Sequence, residues 1–333
     1  MTMPSPSIRL YVGMVAAVLA LVLVTIGLLA GVWVVFYGML VVFGIRPAAH
    51  GAFVATTVTL LTIAYLEYRH LETIERLSDA HPVDRESAPH LYDVTTRVAA
   101  QLDVPVPTIA VSERNAPEAL AVGFRPENVH LVLSLGTIRA LDADELEAVI
   151  AHELAHVKNR DAMVMTVVSL PVVLADGLGS RLERIDEPSS ESIVAAVVPF
   201  VAPIIGLVAA VVWIIGSAIT ARLSRVRERA ADRTAAEVTG SPATLASALR
   251  RLDAEITDTP KQDLREVSGV SSLSILPLEP RELEKVMLGP EGDIEPSYWW
   301  LRTRLHRLQR WLFGTHPPTA DRLESLAALE RER

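Results

Sequence analysis

The chain has 333 residues, 50% of them hydrophobic, and a mean hydropathy of +0.32, which is too apolar for an ordinary soluble enzyme. It has no cysteine, which excludes disulfides and any metal site built on thiolates. Its formal net charge of −9 argues against nucleic acid as a partner.

The N-terminal region, residues 1–70, is predicted to cross a membrane twice. Two long apolar runs, about 11–44 and 50–67, have the length of roughly 20 residues that a transmembrane helix needs. A cleaved signal peptide would have an apolar region of only about 7–15 residues. The first run is predicted as one tilted span, or as a span with a second piece broken off at Gly31 or Gly38.

Residues 71–161 are predicted as the first part of a catalytic domain. Two strands are expected, 119–124 and 129–135, with a turn at 125–128 between them. The second is predicted as an edge strand that an extended peptide could join through main-chain hydrogen bonds. An alternating pattern makes a solvent-facing side chain a better interpretation of His130 than a metal ligand. The predicted substrate contacts on this strand are Val129, His130, Leu131 and Val132.

The most informative motif is His-Glu-x-x-His, which begins at His152. A helix is predicted around it, because Asp142 and Glu145 form a capping-box pattern ahead of an apolar periodic run. On a helix His152 and His156 lie one turn apart on one face, where two imidazoles can bind one Zn²⁺. Glu153 lies on the adjoining face, placed to take a proton from water. The motif indicates a metallopeptidase.

Residues 162–221 are predicted as a transmembrane hairpin of about 162–180 and 192–221. The first segment is weak, since it is short of apolar residues and contains Pro171, and a core or re-entrant helix is the alternative. Basic residues cluster on one side of the four predicted spans, and the positive-inside rule places that side, with the zinc motif, in the cytoplasm. The clustered residues are Arg69, Arg76, Lys158, Arg160, Arg222, Arg225, Arg227, Arg229 and Arg233.

Residues 222–333 are predicted to complete the catalytic domain. Glu228 and Asp232 share one helix face, so Glu228 could be the third zinc ligand while Asp232 accepts a hydrogen bond from a ligand imidazole. On charge pattern alone, a solvated helix with surface ion pairs is the alternative. His152 and Glu228 can meet only if an even number of membrane crossings separates them, which favours the hairpin.

The C-terminal part carries three further features. The polar stretch 254–295 is predicted as loops. Residues 298–313 have the pattern of an amphipathic helix, which could lie on the membrane surface or pack against the catalytic domain. His316 lies in a proline-rich turn, and from the residues alone a loop histidine is the simpler interpretation.

Several of these motifs together resemble the HtpX-type membrane metalloproteases, relatives of the CAAX prenyl proteases. The resemblance runs from about residue 91 to 326, with paired spans before it. The matching segments are Leu135-Gly136, Asp144 to Ala151, His152 to His156, Val157 to Asp161, Glu228 with Asp232, Gly240 to Pro242, Thr315 to Thr319 and Arg322.

This resemblance implies roles for individual residues. It makes His152, His156 and Glu228 the ligands of one Zn²⁺ per subunit, and it makes Glu153 the general base. It implies that Asp232 orients His152 and that His316 donates to the oxyanion of the tetrahedral intermediate. Arg322 is expected to assist His316 and to contact substrate. Where the family usually has Asn, this chain has Glu118, a further candidate for substrate contact.

The expected fold is a mostly α membrane protein with four transmembrane helices and a zincin-type α+β catalytic domain with a small sheet. The expected function is zinc endopeptidase activity on misfolded or membrane proteins, at the cytoplasmic side of the plasma membrane, in protein quality control. A CAAX-type processing protease and a non-catalytic membrane scaffold are the alternatives. Expected partners are protein or peptide substrates and the lipid bilayer, with a second copy or other membrane proteases as further candidates.

Overall fold

A computed structural model describes residues 6–71, 80–123, 125–183, 193–258, 275–276 and 298–333. The chain divides into two units. One comprises residues 1–73 and 165–223, and the other comprises residues 74–164 and 224–333.

Ten α-helices are described, and a 3-10 helix spans Pro126–Asn128. The α-helices are α1 (Pro6–Val42), α2 (Ala48–Leu71), α3 (Pro89–Leu102), α4 (Leu135–Ala140), α5 (Ala143–Lys158), α6 (Asp161–Glu183), α7 (Ile193–Thr239), α8 (Pro242–Asp258), α9 (Trp299–Phe313) and α10 (Thr319–Arg331). The four described strands are β1 (Ala80–Pro82), β2 (Thr108–Ser112), β3 (Ala119–Val122) and β4 (His130–Ser134).

The first unit contains the membrane helices. Helices α1, α2, α6 and α7 are each long and apolar enough to cross a membrane, which confirms the four predicted helices. α1 is continuous through Gly31 and Gly38, so the alternative of a broken first span is wrong. α6 continues through Pro171 as a 23-residue helix.

The four membrane helices share one apolar core. Each contributes buried side chains, such as Leu28, Ile63, Leu174 and Ile205. Large apolar side chains are also exposed on the outside of every helix, including Leu23, Phe53, Val167 and Leu207. An exterior this apolar suits hydrocarbon rather than water.

The second unit is built on a mixed four-stranded sheet with the order β1-β2-β4-β3. β2 and β4 are parallel, while β1 pairs antiparallel with β2 and β3 antiparallel with β4. In the β3–β4 pair, Ala119 lies opposite Leu133 and Ala121 opposite Leu131. The two predicted strands are present but shorter than 119–124 and 129–135: Gly123 and Val129 lie outside them, and Leu135 begins α4. Phe124 lies outside the described residues.

Helix α5 shares the main apolar core with the sheet and with helices α3, α8 and α10. Val149, Ile150 and Leu154 are fully buried in it, as is Leu131 of β4. The predicted capping box starts α5: Glu145 N–H donates to Asp142 Oδ1 at 2.9 Å, and Asp142 N–H donates to Glu145 Oε2 at 3.1 Å. The buried side chains therefore fix which face of α5 the two histidines occupy.

Helix α8 ends later than the sequence predicts. It runs to Asp258, so the loop prediction for 254–295 is wrong over 254–258. The reason is that Leu249, Leu252 and Ile256 continue the helical apolar spacing into the core. The remainder of that prediction lies outside the described residues, except for Ile275 and Leu276, which are both buried.

Candidate active site

Two helices bring three metal-ligating side chains together. His152 and His156 are one turn apart on α5, and Glu228 comes from α7. Their donor atoms all lie within 4.8 Å of one another. His152 Nε2 is 3.2 Å from His156 Nε2. Glu228 Oε2 lies 3.6 Å from His152 Nε2, and Glu228 Oε1 lies 3.4 Å from His156 Nε2.

These separations suit a tetrahedral ion. With Zn–ligand bonds of about 2.0–2.1 Å, tetrahedral ligand atoms are about 3.4 Å apart. The three observed distances fall on both sides of that value. Two imidazoles and one carboxylate also form a donor set that catalytic zinc sites use, with a fourth position left for water or substrate. The residues present therefore fit a zinc ion.

His152 is oriented by a buried carboxylate. Its Nδ1 lies 3.0 Å from Asp232 Oδ1, and the side chain is fully buried. Burial alone would lower the pKa of His152, but the carboxylates of Asp232 and Glu228 raise that pKa to about 9. Asp232 thus lies against His152 Nδ1, on the side of the ring away from His156 Nε2 and Glu228.

Arg322 is buried in the described structure, which does not favour the predicted substrate contact. Its side chain is fully buried, and Nε and Nη2 donate to the two oxygens of Asp232 at 2.9 and 2.6 Å. Nη1 donates to the carbonyl oxygen of Ile275 at 2.6 Å. The same Nη1 lies 3.6 Å from Glu228 Oε2. Arg322 therefore contacts two acidic groups of the site, and a substrate contact would need its side chain to move.

His156 has its own orienting acid, which the sequence analysis missed. His156 Nδ1 is 2.5 Å from Asp161 Oδ2, and the other oxygen of Asp161 forms an ion pair with Arg227. Asp161 and Arg227 are both buried. Asp161 is the first residue of α6, five residues beyond His156, so a carboxylate just after the zinc helix was the available signal.

Glu153 faces the sheet from beside the two histidines. Its side chain is 1% exposed, and Oε2 accepts a hydrogen bond of 3.1 Å from the N–H of Ala121. Burial raises the pKa of Glu153 to about 7, against the opposing effect of the two imidazoles. A general base works best when its pKa is near the working pH.

His316 lies against the third predicted ligand. Its Nδ1 is 3.4 Å from Glu228 Oε2, and the side chain is only 4% exposed. Within the described residues, neither ring nitrogen makes a hydrogen bond. The proline-rich turn therefore delivers a buried imidazole to the site, which residue patterns alone did not indicate.

The prediction that residues 129–132 form an edge is wrong. β4 lies inside the sheet, because its other side pairs with β2, a strand that the sequence analysis did not identify. His130 is exposed, as expected, whereas Val129, Leu131 and Val132 are buried. In the described sheet, the edge next to the metal-ligating residues is β3.

The outer side of β3 is defined by alternate residues. Ser134 N–H donates to the carbonyl oxygen of Glu118 at 2.9 Å, and Glu118 N–H donates to the Ser134 side-chain oxygen at 2.8 Å, so the N–H and C=O groups of Ala119 and Ala121 point away from β4. The N–H of Ala121 donates to Glu153. The carbonyl of Ala119 accepts a 3.2 Å hydrogen bond from the N–H of Ile275. One end of the edge is therefore occupied by the chain itself.

A surface depression continues from the other end of β3. Ala121 and Gly123 line it together with His156, Val129 and Met163. Gly123 has a φ of +150°, and a Cβ there would lie 2.4 Å from the carbonyl oxygen of Asn128, so glycine is required where β3 ends.

Glu118 is buried and does not line this depression. Its carboxylate is fully buried and makes no hydrogen bond to a described residue, and its nearest cation, Arg114 Nη1, is 3.7 Å away. Burial raises the pKa of Glu118, and Arg114 opposes that rise. The predicted substrate contact would need the side chain to move.

Residues 85–330 match peptidase family M48. Protease HtpX homolog 2 of Methanosarcina acetivorans is 34% identical over 265 residues, which cover 77% of this chain and 84% of that protein. The protease HtpX homolog of Moorella thermoacetica is 30% identical over 335 residues, covering 97% of this chain and 98% of that protein. The crystal structure of S. mikatae Ste24p aligns with a TM-score of 0.49 and 16% identity, over 80% of this chain and 58% of that one.

The family match covers well over half of the chain, including both histidines, Glu228 and His316. The relatives also extend through the membrane helices, since one of them covers nearly the whole chain. The chain therefore belongs to peptidase family M48 and is an HtpX-like membrane metalloprotease.

Proposed function

We propose that the chain is a zinc-dependent endopeptidase of the plasma membrane that cleaves misfolded or membrane proteins at the cytoplasmic side. One observation carries the proposal: two imidazole nitrogens and a carboxylate converge within 4.8 Å, with the Glu153 carboxylate beside them and bound to the edge strand. A non-catalytic scaffold would have no need for this combination of buried groups.

His152, His156 and Glu228 would hold one Zn²⁺ per subunit. A bound zinc ion supplies Lewis acidity, which polarises a carbonyl and acidifies water. The buried carboxylates of Asp232 and Asp161 hold the two imidazoles in position through their Nδ1 atoms, which leaves each Nε2 for the metal.

Glu153 would act as the general base. It takes the proton of the attacking water and later passes that proton to the departing amine. Its carboxylate already contacts Ala121 of the edge strand, so a peptide bound along β3 would lie next to it. Main-chain pairing along a strand edge distinguishes side chains weakly, which suits a protease with many substrates in quality control.

His316 would stabilise the tetrahedral intermediate. Its ring is buried next to Glu228, and it makes no hydrogen bond within the described part of the chain, so a nitrogen is available for an oxyanion. A donor placed where negative charge develops lowers the barrier without strengthening ground-state binding.

The test compares Glu153→Gln with the wild type, purified in detergent and supplied with zinc. We expect full zinc content and a loss of casein cleavage by a factor of about 10² or more. Glu147→Gln, at a half-buried position of the same helix that pairs with Arg97, is the matched control and should cleave normally. Equal cleavage by Glu153→Gln and wild type would refute the mechanism.

Orientation has a separate test, because the chain has no cysteine. If the site faces the cytoplasm, Ser189→Cys should react with an impermeant maleimide in intact cells and Ser241→Cys should not. Labelling of position 241 alone would invert the orientation. Protection at both positions would indicate that residues 162–180 do not cross.

A further inference from the structure

The apolar face of helix α9 is exposed in the described structure. Its exposed apolar side chains fall within an arc of about 140° at 100° per residue. The half-buried residues Trp299, Thr303 and His306 lie on the opposite side, and Leu312 and Phe313 at the C-terminal end of the helix are also half-buried. The exposed fractions in the described structure are 62% for Trp300, 38% for Leu301, 54% for Leu305, 49% for Leu308 and 71% for Trp311.

The charge of α9 also differs from that of the chain. The helix contains four arginines and no acidic residue, whereas the chain as a whole carries −9. The guanidinium of Arg304 lies 5.7 Å from the ring centroid of Trp300, within the apolar arc. Trp and Leu on one face with Arg among and beside them is the composition of helices that lie at an anionic lipid surface.

A hydrogen bond places the end of α9 near the polar margin of a membrane helix. Arg225 of α7 donates through Nη1 to the carbonyl oxygen of Gly314, the residue after α9, at 2.5 Å. Arg225 is four residues beyond Ala221, where the uncharged run of α7 ends. Four residues rise about 6 Å along a helix. The residue after α9 is thus hydrogen-bonded to the part of α7 that directly follows its uncharged run.

We propose that α9 lies in the interface of an anionic bilayer, with Trp300, Leu305, Leu308 and Trp311 directed into the acyl boundary and the arginines at the headgroups. The sequence left two alternatives for α9, the membrane surface and packing against the catalytic domain. Its exposed apolar face favours the membrane surface. An anionic lipid surface is favoured over a protein partner because the helix combines tryptophan and leucine with four arginines and no acidic residue.

The experiment uses the full chain in lipid nanodiscs. Leu305→Cys gives a single cysteine, which is labelled with an environment-sensitive fluorophore in nanodiscs that contain spin-labelled phosphatidylcholine. Ser325→Cys, exposed on α10, is the control, and both variants must retain the zinc content of the wild type. We expect the label at 305 to be blue-shifted and quenched by the spin-labelled lipid, while the label at 325 stays in water.

Lipid charge separates the sources of protection. With phosphatidylglycerol present, quenching at 305 should exceed that in pure phosphatidylcholine, and Arg302→Gln with Arg307→Gln should reduce the difference. A label at 305 that remains in water in both lipids would overturn the proposal. Protection from water without quenching by the lipid would also overturn it, since a second copy or another segment of the chain would then cover the face.

Discussion

Arg322 holds Asp232 through two parallel hydrogen bonds, from Nε to Oδ2 at 2.9 Å and from Nη2 to Oδ1 at 2.6 Å. The Arg322 side chain is fully buried, and Asp232 is nearly so. Asp232 in turn lies 3.0 Å from His152 Nδ1. A cation in the protein interior therefore keeps the orienting carboxylate charged and in place, one step removed from the predicted metal.

Replacing Arg322 tests this chain of contacts. Arg322→Gln leaves Asp232 buried without its cation, which should destabilise the fold by about 3–5 kcal/mol. Zinc affinity should fall by about 10–100-fold, as for other lost partners of ligand histidines. Both are measured by chelator competition and thermal unfolding. Arg322→Lys should recover only part of the lost stability and zinc affinity, because an ammonium group lacks the two parallel donors of a guanidinium. Arg331→Gln, exposed on the same helix, should change neither quantity, and unchanged zinc affinity in Arg322→Gln would contradict the role.

Asp161 should matter as much as Asp232, although it was not predicted. Asp161→Asn removes the carboxylate that contacts His156 Nδ1 and leaves the buried Arg227 without its ion pair. We expect a fall in zinc affinity of about 10–100-fold, together with lower casein cleavage at limiting zinc. Asp144→Asn, exposed near the start of α5, is the control. Full zinc affinity in Asp161→Asn would show that His156 needs no orienting acid.

His316→Ala should separate transition-state from ground-state effects. We expect kcat to fall by about 10²–10³, the range for loss of one oxyanion donor. KM and zinc content should stay near wild type, since the contact forms only in the transition state. His90→Ala, exposed on α3, is the matched variant. A change confined to KM would instead assign His316 to substrate binding.

The buried Glu118 predicts an unusual pH dependence of stability. Burial raises its pKa above 4.5, so the folded state binds the proton more tightly than the unfolded state. The free energy of unfolding therefore falls as pH rises from the ordinary carboxyl pKa through the raised one. Glu118→Gln removes this loss.

The measurement is thermal unfolding of Glu118→Gln and wild type at two pH values. At about pH 8 the variant should unfold about 2–4 °C higher, and at about pH 4 the difference should vanish, if the loss is of order 1 kcal/mol. Glu324→Gln, exposed on α10, should show no such trend. An equal difference at both pH values would exclude titration of Glu118 as the cause.

The local parts of the site could be predicted because they depend on spacing within one helix. His152 and His156 follow from their separation of four residues, and the capping box from a separation of three. The strand predicted at 129–135 followed from the alternation of its residues, although the observed β4 is shorter. Four membrane helices followed from length and apolarity, because lipid demands both.

The non-local parts could not be predicted by the same reasoning. The parallel pairing of β2 with β4 joins segments about 20 residues apart, and it moves β4 from an edge to the interior. The burial of Arg322 depends on Asp232, which is 90 residues away in the chain. Neither residue signals the other by spacing, since contacts of this kind arise only when whole elements pack.

The hydrogen bond from Ile275 N–H to the carbonyl oxygen of Ala119 occupies one end of the β3 edge. Glu153, the proposed general base, accepts a hydrogen bond from Ala121. Two residues away, the strand edge is already paired with the backbone of Ile275, whose carbonyl oxygen accepts a hydrogen bond from Arg322. On the opposite side, the depression beyond Gly123 is open. In the proposed function, substrate residues on the Gly123 side could bind in the depression. Substrate residues on the Ala119 side could not pair with the strand edge, because Ile275 already does. If the chain is the proposed endopeptidase, lengthening a peptide substrate should therefore improve cleavage from one direction only.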